Sequence, residues 1–324
     1  MAGTLCLLIF LVLFIGFNLK SGVALRDHSF SDTDDRCPPS PHPLGMCKDR
    51  VAAYGYPCEE YHVTTEDGYI LSLKRIPYGL KNADNSTENV RPPVLLFHGL
   101  MVAYWNWTWD QIAAHDLPAV LQFVYDNTGG QRVHYIGHSL GTLIILASFS
   151  EHKLLHLVRS AVLLCPIAYL NRMRSKLVRL AANIFLAEVN QAVAREILSQ
   201  VCTDPEIDCY DLFGAVGVVR KQGIKKYDYG NAKENMKHYN QSRPPRYNLS
   251  DIPNDVPLFL THGGVDYLGD LPDTRHLLRT LVRRHESDNI EVLYMPDFAH
   301  GDFVMAYNAP ELIYKPMVEF FKRH

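Results

Sequence analysis

The chain has 324 residues, 47% apolar and 21% charged, with 32 basic against 35 acidic side chains and a formal charge of −3. These values exclude a disordered chain, a collagen-like repeat and a coiled coil. The near-neutral balance also argues against a nucleic-acid groove, which needs a concentrated basic footprint.

Residues 4–17 read TLCLLIFLVLFIGF, an apolar run shorter than the ~20 residues that span a bilayer as a helix. Lys20 and the small-x-small pattern Gly22-Val23-Ala24 follow. Residues 1–24 therefore read as a secretory signal peptide, with an uncleaved anchor as the alternative. No transmembrane span is expected after cleavage. Residues 25–57 read as a leader, rich in Asp, Ser and Pro over 27–47.

Residues 58–165 carry the first part of a strand-and-helix core. Glu59 to Thr64 and Tyr69 to Arg75 alternate around Thr65-Glu66-Asp67-Gly68, which predicts a hairpin. Val94 to Phe97 is a short buried strand, and Trp107 to Asp126 a helix halted by Gly129-Gly130. A strand at Val133 to Ile136, a helix at Leu140 to Phe149 and a strand at Ala161 to Cys165 complete this part. Residues 166–253 lack strand-like runs and read as an α-helical cap, with one long helix over Ser175 to Gln200. That helix suits either an acyl pocket or lid, or simple packing within the cap. Residues 254–324 resume the alternation: strand Val256 to Thr261, helix Asp273 to Arg284, strand Ile290 to Met295, helix Pro310 to Lys322. Strands alternating with helices predict an α/β fold, a mostly parallel, doubly wound sheet with the cap inserted.

Apart from Cys6 there are six cysteines, none at C-x-x-C spacing, which argues against a zinc or redox motif. An even number in an oxidising compartment predicts disulfides of open connectivity. Cys202 and Cys209, flanking a Pro-containing acidic loop, are the best local pair, and Cys165 in SAVLLCP reads as a buried thiol. Asn85, Asn106, Asn240 and Asn248 begin glycosylation sequons. Behind a signal peptide they fit a secreted or vacuolar/lysosomal route.

The decisive segment is Val133-His-Tyr-Ile-Gly137-His138-Ser139-Leu140-Gly141, a strand, then Gly-x-Ser-x-Gly, then a helix. This is the context of a nucleophile elbow, in which a sharp turn presents a serine at the positive end of a helix. A Gly-rich turn with a capping serine is the bland alternative. A serine hydroxyl needs a base, and in this architecture the acid and then the histidine follow it on later strand ends. Asp266 follows one late strand and His300 the other. His300 is then the general base toward Ser139 and the acid toward the leaving alcohol, while Asp266 fixes the imidazole tautomer. Asp270, Asp297 and Asp302 are competing carboxylates; Gly263-Gly264 favours Asp266 by freeing the turn that presents it. Two backbone N–H donors should hold the oxyanion: Leu140, and the loop His98-Gly99-Leu100. There is no H-E-x-x-H, Walker A or G-x-G-x-x-G, so the design needs no metal, nucleotide or other cofactor.

Further stretches extend this pattern: Tyr61-His-Val-Thr-Thr-Glu-Asp-Gly-Tyr-Ile-Leu, Val94-Leu-Leu-Phe-His-Gly-Leu100, Asp116-Leu-Pro-Ala, Tyr227-Asp-Tyr-Gly-Asn231, Asn235-Met-Lys-His-Tyr239, Pro244-Pro-Arg-Tyr-Asn-Leu-Ser250 and Phe298-Ala-His-Gly-Asp-Phe303. Together they resemble the acid lipase family, the gastric, lysosomal and plant triacylglycerol and steryl-ester lipases. The resemblance implies an α/β-hydrolase core with a cap, cleavage of lipid esters at a lipid–water interface, Ser139, Asp266 and His300 as triad, and Leu100 and Leu140 as oxyanion pair. It also implies a Cys202–Cys209 cap disulfide.

The chain departs from that family between Leu100 and Trp107, where the family carries an extra helix, a central strand and an Asn-x-Arg-Gly turn. From Leu100 to Gly130 there is room for one helical crossover. The cap is also short between Asp211 and Lys225. The core is therefore expected to be truncated by an internal deletion, as in a splice variant or a mis-joined gene. The functional readings are a lipase working through an acyl-enzyme, a catalytically impaired or non-catalytic lipid-binding member of the same fold, and a short-chain carboxylesterase.

Overall fold

A computed structural model describes residues 45–80, 91–99, 109–169 and 224–324. The signal peptide, Asn85, Leu100, Asn106, the helix expected over Ser175 to Gln200, and Cys202 with Cys209 lie outside the described residues.

Five parallel strands form the main sheet in the order β3–β4–β5–β6–β7. They are β3 Val94–Phe97, β4 Val133–His138, β5 Val158–Leu164, β6 Leu258–Gly263 and β7 Ile290–Met295. The hairpin β1 Glu59–Thr64 and β2 Ile70–Arg75 is a separate antiparallel sheet. Gly68 closes its turn at φ 93°, a region that costs a glycine nothing. The hairpin is fastened by side chains instead: Tyr61 meets Phe123 of helix α1, Leu117–Asn127, with ring centroids 5.4 Å apart. Among the described residues β3 is thus an edge strand of the main sheet, and Leu96 on it is 75% exposed.

Alternation along the strands builds two cores. Tyr135, Ala161, Leu163, Leu258 and Leu260 face one side, where Leu121 of α1, Leu143 of helix α2 (Leu140–Ser150) and Leu281 of a later helix pack on them. Ile136, Val162 and Phe259 face the other side, against Phe303, Ile313, Met317 and Phe320 near the C-terminus. Every residue of α2 is buried, which explains why its sequence shows no polar face.

Further helices among the described residues include α3 Ala232–Tyr239, α4 Leu271–Val282, α5 Asp302–Met305 and α6 Lys315–Arg323. Asn231 caps α3 by accepting from Glu234 N at 2.9 Å. α4 starts two residues earlier than the sequence suggests, because Pro272 suits the first turn, where a helix needs no N–H. β6 starts and ends two residues later than expected. Its ladder to β7 runs on to Gly263↔Met295, while Pro257 before it has no N–H to give. β5 starts three residues early: Val158 pairs with Val133, and the polar Ser160 meets His134 Nδ1 at 2.7 Å. Inside the stretch read as leader, Cys47–Val51 and Ala52–Tyr54 are helical turns. Cys47 is disulfide-bonded to Cys58, Cα–Cα 5.3 Å, a pairing that spacing left open. Cys165 is a buried free thiol, as expected.

Two measurements test this packing. Phe320→Ala should cost about 3–5 kcal/mol in denaturant unfolding, as for other fully buried aromatics. His134 is fully buried, and burial, then Arg159 and His324, lower its pKa from 6.5 to about 4. The folded imidazole therefore stays neutral where the unfolded one takes a proton. Stability should fall by roughly 1 kcal/mol per pH unit on acidification through that window. His134→Gln should flatten this slope; an unchanged slope would show that His134 does not cause it.

Candidate active site

The chemistry-bearing residues sit at the carboxyl ends of the parallel strands. Ser139 lies between β4 and α2 at φ 54°, ψ −117°, a backbone state that a residue with a Cβ rarely adopts. The turn closes that tightly because two glycines let backbone meet backbone. A Cβ on Gly137 would stand 2.7 Å from the Gly141 carbonyl carbon, and one on Gly141 would stand 2.7 Å from Phe97 O. Hydrogen bonds lock the bend. Ser139 N donates to Leu164 O at 3.1 Å. Thr142 Oγ1 donates to Ser139 O at 2.6 Å, and Tyr135 OH to Gly141 O at 2.7 Å.

Asp266 and His300 meet from the ends of β6 and β7. His300 Nδ1 lies 2.8 Å from Asp266 Oδ2. The other carboxylate oxygen, Oδ1, accepts from Leu268 N and Gly269 N, both at 2.8 Å. A buried carboxylate so held has little freedom to rotate and presents one fixed lone pair to the imidazole. The competing carboxylates are used differently. Asp302 Oδ2 accepts from Ala299 N at 2.7 Å, Asp297 is exposed, and Asp270 stands at the start of α4.

The His300 loop folds back toward the elbow. His138 Nε2 and Cys165 Sγ each lie 3.1 Å from the His300 carbonyl oxygen, and the His138 and His300 rings are 5.2 Å apart. His300 Nε2 is buried with no hydrogen-bond partner among the described residues. Burial, which outweighs the bond to His300 O, lowers the pKa of His138. Burial, then Asp266 and Asp302, raises that of the Cys165 thiol well above its usual range, so it is no nucleophile.

Of the oxyanion pair, Leu140 opens α2 directly after the serine. Leu100 lies outside the described residues, but Gly99 before it packs on the elbow, where a Cβ would stand 2.8 Å from Ser139 Cβ. Thr142, Tyr135 and the two amides on Asp266 were not legible from the motif, because each acts through a contact made only by folding. Hollows of about 280 and 560 Å³ occur elsewhere, and neither is lined by Ser139, Asp266 or His300. Gly141→Ala should force the Phe97 carbonyl away from the elbow and destabilise the fold by about 1–3 kcal/mol, measured by denaturant unfolding.

The family described as "Partial alpha/beta-hydrolase lipase region" matches residues 47–110, and that described as "alpha/beta hydrolase fold" matches residues 105–203. Triacylglycerol lipase 2 of Arabidopsis thaliana is 34% identical, with 86% of this chain and 88% of that protein covered. Human gastric triacylglycerol lipase is 28% identical, with 87% and 92% covered. Human lysosomal acid lipase/cholesteryl ester hydrolase is 28% identical, with 85% and 90% covered. An esterase of Pyrococcus furiosus superposes with a TM-score of 0.53 at 18% identity, covering 87% of this chain and 95% of its own, which speaks for the fold alone. With an elbow between strand and buried helix, and a plant triacylglycerol lipase matched over most of both chains, this protein belongs to the acid lipase family of α/β-hydrolases.

Proposed function

We propose that the chain is a serine hydrolase that cleaves carboxylic esters of lipids, triacylglycerol or steryl esters, through an acyl-enzyme. The observation that carries this reading is the Asp266–His300 hydrogen bond at 2.8 Å, with the His300 loop folded against the strained Ser139 elbow. Ser139 Oγ attacks the ester carbonyl, and its proton passes to His300 Nε2. The imidazolium then returns that proton to the departing alcohol. Asp266 keeps the other proton on Nδ1 and stabilises the imidazolium. Backbone N–H groups of Leu140 and Leu100 hold the oxyanion, each worth about 3 kcal/mol at the transition state. Water then repeats the sequence on the acyl-serine, so no cofactor takes part.

A lipid substrate is supported by the relatives' names and by the site's rim. Tyr267, Val304, Met305 and Tyr307, on the segments that carry Asp266 and His300, are all exposed, as suits contact with a lipid–water interface. No helix among the described residues is long and apolar enough to cross a membrane. Passage through the secretory pathway, to the outside or to a vacuole or lysosome, is supported by the signal-peptide pattern of residues 1–24. It is supported too by the exposed sequon residues Asn240 and Asn248.

A second reading, a catalytically impaired lipid binder, rests on the shortened core. The match to the Arabidopsis lipase runs over 369 residues, more than this chain has, so that relative carries segments with no counterpart here. The separate hairpin and the edge position of β3 among the described residues are what such a deletion would leave. Sequencing the transcript across Leu100 to Trp107 tests its origin: an abundant message with this junction argues against a mis-joined gene.

Activity separates the two readings. A p-nitrophenyl ester should be turned over, and a fluorophosphonate should label the peptide containing Ser139. Ser139→Ala should abolish both. Asp266→Asn should lower kcat by about 10⁴-fold through loss of the correct tautomer. A chain that binds hydrophobic ligands but shows neither turnover nor labelling is the binder.

A further inference from the structure

His138 ends β4, Cys165 follows β5 and His300 follows β7, yet one donor atom from each lies within 4.8 Å of the others. Their mutual placement is fixed by the fold. His138 Nε2 and Cys165 Sγ converge on one atom, the His300 carbonyl oxygen, at 3.1 Å each. Cys165 is held at φ 45°, a left-handed backbone state that sets the direction in which its thiol leaves the chain. His300 has one nitrogen on Asp266 and the other, Nε2, buried without a partner among the described residues. An imidazole with a carboxylate on one nitrogen and nothing on the other is the arrangement in which histidines bind metals.

We propose that His138, Cys165 and His300 form an inhibitory site for a thiophilic divalent cation, best matched by Zn²⁺. A thiolate with two imidazoles selects zinc over magnesium or calcium, whose ligands are oxygens. Zinc binds sulfur at about 2.3 Å and nitrogen at about 2.0 Å, so modest side-chain rotation would draw the donors together. On binding, the Cys165 proton is released to solvent, both imidazoles ligate as neutral rings, and water completes the tetrahedron. Burial first, then Asp266 and Asp302, disfavours a bare thiolate at Cys165, and the two carboxylates favour a dication beside it. Binding through His300 Nε2 takes the nitrogen that would accept the serine proton. The inhibition therefore rests on the catalytic reading above, whereas the binding itself does not.

The metal-free full chain titrated with Co²⁺ tests the binding. Wild type and Ser139→Ala should both develop the near-ultraviolet thiolate-to-cobalt band and tetrahedral visible bands, and Zn²⁺ should displace them. Cys165→Ala should lose the thiolate band, and Cys165→Ser, closest in size, should lose it too. Zn²⁺ should inhibit ester hydrolysis by wild type, with at least a tenfold higher concentration needed for half-inhibition of either Cys165 variant, whatever its basal rate. No thiolate band in wild type, or the same band in both variants, overturns the site. A band without inhibition of an active enzyme overturns the inhibitory role. A band in a chain that hydrolyses no ester supports the site and tells against the catalytic reading.

Discussion

Ser139 occupies a backbone state, φ 54° and ψ −117°, that costs of order 1–3 kcal/mol and persists only where its surroundings over-determine it. Here they do so from every side. Behind it, β4 is locked between β3 and β5; ahead of it, α2 is buried along its whole length. The Gly137 and Gly141 backbones close on each other and on Phe97 O with no room for a side chain. The bend cannot relax into an ordinary strand-to-helix connection without opening that core.

The rest of the site is assembled around this fixed point. Parallel strands bring successive strand ends to one edge of the sheet, so Ser139, Cys165, Asp266 and His300 converge although far apart in sequence. Asp266 is anchored by two amides of its own loop, and it anchors His300 in turn. His138 and Cys165 then hold the His300 carbonyl. The same contacts that fix the His300 loop against the elbow also gather two nitrogens and a sulfur, so the proposed proton transfer and the proposed metal capture draw on one geometry.

The hairpin and β3 stand outside the segments that carry Ser139, Asp266 and His300. The hairpin β1–β2 keeps its antiparallel ladder and its contact with α1, but shares no ladder with β3. Among the described residues the outer edge of β3 has no partner strand and Leu96 on it is exposed, the kind of edge to which another strand can add. Ser139, Asp266 and His300 follow β4, β6 and β7, so the deletion proposed beside β3 would bear on stability and association more directly than on them.

Much of this was legible in the sequence, because its signals are local. Strand-length runs, alternating for β1 and fully apolar for β3, mark β1, β3 and β7 to the residue, and Gly-x-Ser-x-Gly between an apolar strand and an apolar helix marks the elbow. The order of Asp266 and His300 after it followed from the topology those runs imply. Ladder extent was not legible: β5 and β6 begin where a neighbour's register permits, not where apolarity starts. Nor was the Cys47–Cys58 bond, since spacing alone cannot choose among cysteines. Gly263-Gly264 already favours Asp266 over Asp270, Asp297 and Asp302 in the sequence, but all four lie near a late strand end, and the folded chain is what gives Asp266 the imidazole at 2.8 Å. The convergence of His138 and Cys165 on His300 likewise belongs to the tertiary structure. A hydrogen bond between residues 162 positions apart depends on where the sheet carries its strand ends, and no local pattern records that.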